Sequence, residues 1–200
     1  MANSQTSCAG YVLAGGRSSR MGREKALLEI GGTPLVVRAA QLVLRVLPGV
    51  TIVGRPELCQ HLGYPCIPDQ QLDSGPLAGI LTALSHTASD WNLVLSCDTP
   101  YLTEEWLRYL LGRAQASAAQ VVLPVSAEGP EPLVAVWRRE AGAGIGAAIA
   151  RGVLKVTRAL ESLAIERIEP DEIAPFDPRG VLFQNLNTPE DFERARGDLG

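Results

Sequence analysis

The chain has 200 residues, 46% apolar and 20% charged, a balance that suits one globular domain spanning 1–200 with a sizeable core. A formal net charge of −4 and the lack of RNA-binding aromatic signatures exclude a nucleic-acid partner. No apolar run reaches ~18 residues, which excludes a membrane-spanning helix.

The first residues, 1–7, are polar, lack a signal-peptide core and read as a flexible tail. Cys8, Cys59, Cys66 and Cys97 form no Cys-x-x-Cys pair, so they read as reduced thiols of a cytoplasmic protein rather than zinc ligands. The run Tyr11-Val12-Leu13-Ala14 reads as a buried strand that ends at Gly15-Gly16. Behind it come Arg17, Ser18, Ser19, Arg20, Gly22, Arg23 and Lys25, with Glu24 as the one acid. Gly15, Gly16 and Gly22 let the backbone approach a ligand closely, and successive N–H groups in such a turn bind phosphate oxygens. Arg20 adds a planar cation and Lys25 a point charge. The alternative is a solvated basic loop, but so many Gly and Arg/Lys directly after a strand favour anion binding. Neither the P-loop pattern nor the dinucleotide pattern fits, because Arg23 follows Gly22 and Gly15 and Gly16 are adjacent.

Gly31-Gly32 makes a turn, and Thr33-Pro34 reads as the N-cap and first position of a helix that stops at Pro48-Gly49. Strands are expected at 50–53 and 66–68, with a helical turn near 57–62 between them. Asp73-Ser74-Gly75-Pro76 leads into an apolar, buried helix, Leu77 to Leu84. Trp91 to Ser96 is the strongest later strand and ends at Cys97-Asp98-Thr99-Pro100. Thr103 caps the next helix, with Glu104 and Glu105 in its first turn. Strands follow at 121–123 and 133–137. Residues 140–151 are ambiguous, since alanine favours helix and Gly142, Gly144 and Gly146 weaken it. A helix is expected at 157–164, strands at 165–168 and 181–185, and a capped helix from Thr188. Alternating strands and helices argue an α/β sheet with helices on both faces. In such sheets ligands bind beyond the carboxyl ends of the strands. The loop after Ala14, Asp69 and Asp98 each follow an expected strand and so belong at one edge.

A triphosphate at the first loop needs a divalent metal, and Mg²⁺ is usually held by one or two carboxylates plus phosphate oxygens and water. Asp98, at the mouth of a buried strand, is the candidate ligand. It also reads as the Asp that starts a turn before Thr99-Pro100, and the first loop favours the metal reading. Asp69 carries the same two readings. Asn185 and Asn187 offer neutral oxygens to a metal or substrate, or simply strand-end and capping chemistry. His61 and His86 read as incidental, and Cys97 as a small buried residue.

These motifs together resemble the nucleotidyltransferases, and most of all the molybdenum cofactor guanylyltransferases. The resemblance rests on Leu13-Ala14-Gly15-Gly16-x-Ser-x-Arg20-Met21-Gly22-x-x-Lys25, Gly32-x-Pro34-Leu35 and Asp69. It continues through Gly75-Pro76-Leu77-Ala78-Gly79, Cys97-Asp98-Thr99-Pro100, Pro132-Leu133 and Asn185-x-Asn187-Thr188-Pro189-Glu190. It implies a single-domain, Rossmann-like nucleotidyltransferase fold with a mostly parallel mixed sheet. It implies a GTP site at Leu13, Ala14, Gly15, Gly16, Arg20, Gly22, Lys25, Asp69, Leu77, Ala78, Gly79 and Asp98. Arg20, Lys25 and Asp98 would act in catalysis, Asp98 on Mg²⁺, with Asn185 and Asn187 on the pterin side. The implied reaction joins GMP from GTP to molybdopterin and releases pyrophosphate, with other molybdenum-cofactor proteins as possible partners. Two alternatives stay open. One is the same chemistry with CTP or a sugar or polyol phosphate acceptor. The other is a catalytically silent nucleotide-binding accessory protein.

The chain departs from the family pattern at four points. Glu24 stands where the family has Asp, and the spacing from Gly22 to Lys25 is short. Val53 aligns with a family Asn and takes no ligand role. The basic residues after the glycine-rich segment thin to Lys155 and Arg158, which read either as pterin-phosphate contacts or as a solvated helix face.

Overall fold

A computed structural model describes residues 7–15, 24–59, 61–69 and 75–200 of the chain. β1 (Cys8–Leu13) is followed by a hairpin of β2 (Glu29–Ile30) and β3 (Thr33–Pro34). Gly31 and Gly32 close it at φ 59° and 73°, a two-residue turn that L side chains resist at both positions. Next come α1 (Leu35–Leu44), β4 (Val50–Gly54), α2 (Pro56–Cys59), β5 (Cys66–Pro68), α3 (Pro76–His86) and β6 (Trp91–Ser96). The second half holds α4 (Glu104–Ala116), β7 (Val121–Ser126), β8 (Gly129–Pro130), β9 (Val134–Arg138), α5 (Ala141–Ala150), α6 (Val156–Ala159), β10 (Ile165–Ile168), α7 (Pro170–Ile173) and α8 (Pro189–Leu199).

The sheet runs β10-β7-β9-β6-β1-β4-β5, with β8 added to β7. β9 is antiparallel to β6 and β7, and the other neighbours along that path are parallel. It is thus a mostly parallel mixed sheet. Successive strand residues face opposite sides. Val12, Ile52, Leu93, Leu95 and Val122 join one core with Val36 and Val43 of α1 and Trp106, Leu107 and Leu110 of α4. Tyr11, Leu13, Val53, Val94 and Ala135 join the other with Leu77 and Ile80 of α3 and Ile145 of α5. Burial on both faces is why these strands read as unbroken apolar runs. Each buried Val, Leu or Ile among them contributes about 1.5–3 kcal/mol. α3 lies close to β1: a Cβ on Gly79 would stand 3.3 Å from Leu13 Cδ1. A third cluster gathers Ile30, Leu35, Tyr101, Leu186 and Ala195, and ties the hairpin to α8.

Several expected elements change. Thr33-Pro34 is strand rather than helix start, because it pairs back onto Glu29–Ile30; α1 begins at Leu35 and ends at Leu44, short of Pro48. The expected strand at 181–185 is absent. A side chain takes the place of a strand partner there, since Asp177 Oδ1 accepts from the N–H groups of Val181 and Leu182 at 2.8 and 3.1 Å. The helix expected at 157–164 breaks into α6 and a 3₁₀ turn, Leu160–Ser162. The ambiguous 140–151 segment is helical, since Ala141, Ile145 and Ala148 bury one face against the sheet.

Candidate active site

The carboxyl ends of β1, β4, β5 and β6 meet at one edge through main-chain bonds. Ala14 N donates to Val53 O at 2.8 Å, Asp69 N to Gly54 O at 3.2 Å, and Cys97 N to Leu13 O at 3.2 Å. The residues just beyond these strands, Ala14-Gly15, Asp69 and Asp98, are therefore brought side by side. A Cβ on Gly15 would lie 3.6 Å from Asp69 Oδ2. Thr82 of α3 donates to Asp69 Oδ1 at 3.4 Å.

Asp98 is the centre of the cluster. Its Oδ2 accepts from Lys25 Nζ at 2.5 Å, and both side chains are mostly buried, at 18% and 19% exposure. Ser96 Oγ donates to Asp98 Oδ1. Ser96 ends β6 and Asp98 lies in the turn that follows, which folds the carboxylate back onto the serine hydroxyl; Ser96 was not among the expected site residues. Thr99 Oγ1 donates to Ser96 O at 3.1 Å and closes the turn. Lys25 also reaches Asn187 Oδ1, at 3.4 Å. Leu186 explains how a residue so far along the chain arrives there. Its side chain is fully buried, and its N–H donates to Asp98 O at 3.0 Å. Asn185 and Asn187 flank this anchor and diverge. Asn187 turns to Lys25, whereas Asn185 lines a neighbouring pocket with Thr99 and Pro76.

Gly16, Arg20 and Gly22 lie outside the described residues, as do Asp73, Ser74 and positions 1–6 of the expected tail. Leu13, Leu77 and Ala78 turn their side chains into the core. Any ligand contact from those positions is therefore through the main chain. Glu24, the departure from the family acid, ion-pairs with Arg55, the residue after β4. Val53 is buried in the core beside Leu13 and Leu77. Lys155 lines the pocket next to Asn185, while Arg158 faces Glu161 at 3.4 Å on an exposed surface. His86 Nδ1, at the C-terminal end of α3, lies 3.1 Å from the Tyr11 hydroxyl. All four cysteines are free. Burial pushes the Cys97 thiol up to about 12, with the Asp98 carboxylate adding to it, so that sulfur stays protonated and inert.

Oxygen donors converge here on a positive charge. The Lys25 ammonium sits between a carboxylate and an amide oxygen, and hard oxygens of this kind suit Mg²⁺ rather than zinc.

A family model for the MobA-like NTP transferase domain matches residues 10–164. The chain is 34% identical over 188 residues to a probable molybdenum cofactor guanylyltransferase of Pelotomaculum thermopropionicum, covering 94% of this chain and 91% of the relative. It is 36% identical over 201 residues to a probable molybdenum cofactor guanylyltransferase of Natronomonas pharaonis, covering 95% and 97%. Its fold matches the crystal structure of molybdopterin-guanine dinucleotide biosynthesis protein A from Archaeoglobus fulgidus with a TM-score of 0.82 and 28% identity, over 95% of this chain and 97% of that one. With Ala14-Gly15, Asp69 and Asp98 at one sheet edge, the chain belongs to the MobA-like NTP transferase family and is a nucleotidyltransferase.

Proposed function

We propose that this protein transfers GMP from GTP to molybdopterin, forming the guanine dinucleotide cofactor and releasing pyrophosphate. The observation that carries the reading is the Lys25–Asp98–Asn187 cluster at the mouth of β6, 2.5 and 3.4 Å across, beside the end of β1. The names of the similar proteins support the choice of GTP and molybdopterin.

In this reaction a terminal phosphate oxygen of molybdopterin attacks the α-phosphorus of GTP. The bond from that phosphorus to the bridging oxygen breaks, and pyrophosphate leaves with the electron pair. Such transfer asks a protein for positioning and charge neutralisation more than for covalent chemistry. The main chain at Ala14, Gly15, Leu77, Ala78 and Gly79 would hold the nucleotide, with Gly16, Arg20 and Gly22 completing the loop. Asp69 would take the nucleoside. Lys25 offsets charge on the triphosphate. Asp98 and Asn187 would hold Mg²⁺, which when bound neutralises charge on the transferring group. Ser96 keeps the Asp98 carboxylate turned to that position. No protein nucleophile is required.

The test is pyrophosphate release with GTP, CTP and ATP, each with and without molybdopterin. Release with GTP and molybdopterin is expected. Release with CTP alone among the nucleotides would replace the reading with cytidylyl transfer, and release with none would leave a nucleotide-binding accessory protein.

A further inference from the structure

A second feature opens at the same edge. Where β7 ends, β8 folds back on it, with Val125 paired to Pro130 and Ser126 to Gly129. Glu131 follows directly, its N–H bound to Pro124 O at 2.9 Å. Its carboxylate is held in place: Ser126 Oγ lies 2.7 Å from Oε1. The other oxygen has no hydrogen-bond partner among the described residues. Glu131 lines a cavity of about 400 Å³ together with Pro132, Leu133, Leu154 and Val156. Leu154 is one of two large apolar side chains that the described surface leaves exposed, at 49%. Thr99 and Asn185 form the cavity's side toward Asp98, and Lys155 stands on its rim.

We propose that Glu131 is a specificity residue of the acceptor subsite, recognising a flat bicyclic ring that carries adjacent ring N–H and exocyclic amine donors, as a pterin does. This rests on the transfer reaction proposed above and names the group that selects its acceptor. Seven of the twelve lining residues are apolar or proline, walls that suit the faces of a planar heterocycle, and five polar residues are left to fix its orientation. A carboxylate half removed from water calls for donors, and two parallel donors on one ring edge match its geometry. Burial pushes the Glu131 carboxyl upward, and Glu128 adds to it, while the Ser126 hydroxyl works the other way; a pair of donors from a ligand would offset that burial. Lys155 is a cation for the acceptor's phosphate, and Thr99 and Asn185 connect the cavity to the Asp98 turn, so a ring held at Glu131 would point its phosphate toward Asp98.

The experiment has two parts. First, the fluorescence of pterin is titrated with the full chain, beside lumazine, which has a second oxo group in place of the amine. Wild-type protein should bind pterin at least ten-fold more tightly than lumazine, and Glu131→Gln should lose that preference. Equal binding of the two, or binding of neither, would overturn the proposal whether or not the transfer reaction is correct. Second, steady-state kinetics with GTP and molybdopterin should show Glu131→Gln raising the KM for molybdopterin ten-fold or more, with kcat and the KM for GTP unchanged. Guanine carries the same ring edge, so a raised KM for GTP alone would put Glu131 on the nucleotide and sink the acceptor role. If wild-type protein turns over no molybdopterin yet prefers pterin, the transfer reading fails and the ring subsite stands.

Discussion

Two ion-paired clusters can be set side by side. At the sheet edge, Lys25 meets Asp98 at 2.5 Å, with Ser96 and Asn187 as neutral neighbours. On the face made by α4, β10 and α7, Arg113 meets Glu166 at 2.8 Å and also Glu172, and the Tyr109 hydroxyl bonds both Arg113 and Glu172. The second cluster is closed. The planar fork of Arg113 is used up by two carboxylates and a phenol, which pushes its own pKa upward. The first has a point charge where the second has a fork, so its oxygens can turn to another cation and its ammonium to phosphate. Both clusters contain a short, mostly buried ion pair, yet only the first sits where strands end and ligands bind. Ion pairing by itself therefore does not identify a site; its position in the topology and the freedom of its partners do.

The largest effect that would sharpen this contrast is on turnover. Asp98→Ala should lower kcat by ~10³-fold, the scale for losing a preorganised charge at the reacting group. Its melting temperature should stay within a few degrees of wild type, and near-normal kcat with Mg²⁺ present would remove Asp98 from the chemistry. Lys25→Ala should weaken GTP binding by ~1.5–3 kcal/mol, the cost of a charged hydrogen bond. Calorimetric titration of GTP reads this directly, and an unchanged affinity would exclude Lys25 from the triphosphate.

The closed cluster should respond the opposite way. Arg113→Ala leaves two carboxylates facing each other and should cost ~1–2 kcal/mol of stability, with kcat unchanged. A fall in kcat without loss of stability would break the distinction between the clusters. The smallest effect is on pH. Bonds from Tyr109 and Arg113 hold the Glu172 carboxyl below its ordinary value of 4.5. The folded state then binds that proton less readily than the unfolded chain, so its contribution is present above about pH 4.5 and fades as pH falls through the lowered folded value. Urea midpoints measured from pH 6 to pH 3 should show wild type losing its advantage over Glu172→Gln as acid is added. A gap that stays constant would mean the carboxylate carries no charge-dependent stability.

Much of the fold could be read from local signals. Strands 66–68 and 91–96 stand where mostly apolar runs lead into Asp69 and Cys97-Asp98, and 165–168 stands just ahead of Glu169-Pro170. The caps of α4 and α8 are where Thr103 and Thr188 precede acids. The failures have a common cause. Thr33-Pro34 has helix-start chemistry but finds a strand partner in Glu29–Ile30, and Val181–Asn185 has strand composition but Asp177 takes its N–H groups. In both, a neighbour in space or along the chain competed successfully for the backbone. The site divided in the same way. Asp69 and Asp98 could be named because each ends a strand. Ser96 could not, because a serine at the end of a strand has no pattern of its own, and the same holds for Glu131 after its turn, to which the proposal above gives a role.

The amino-acid sequence by itself determined the alternation of strands and helices and the residues at the strand ends, since these follow from short-range spacing, and its motifs from Leu13 to Glu190 carried the resemblance to the family. Only the tertiary structure decided that Leu186 is the buried anchor, that Asn187 turns to Lys25 while Asn185 turns to the Glu131 cavity, and that Glu24 is held by Arg55. Those contacts join residues far apart in the chain. They come from how helices and strands pack, and one-dimensional spacing does not encode which side chain a packed neighbour will meet.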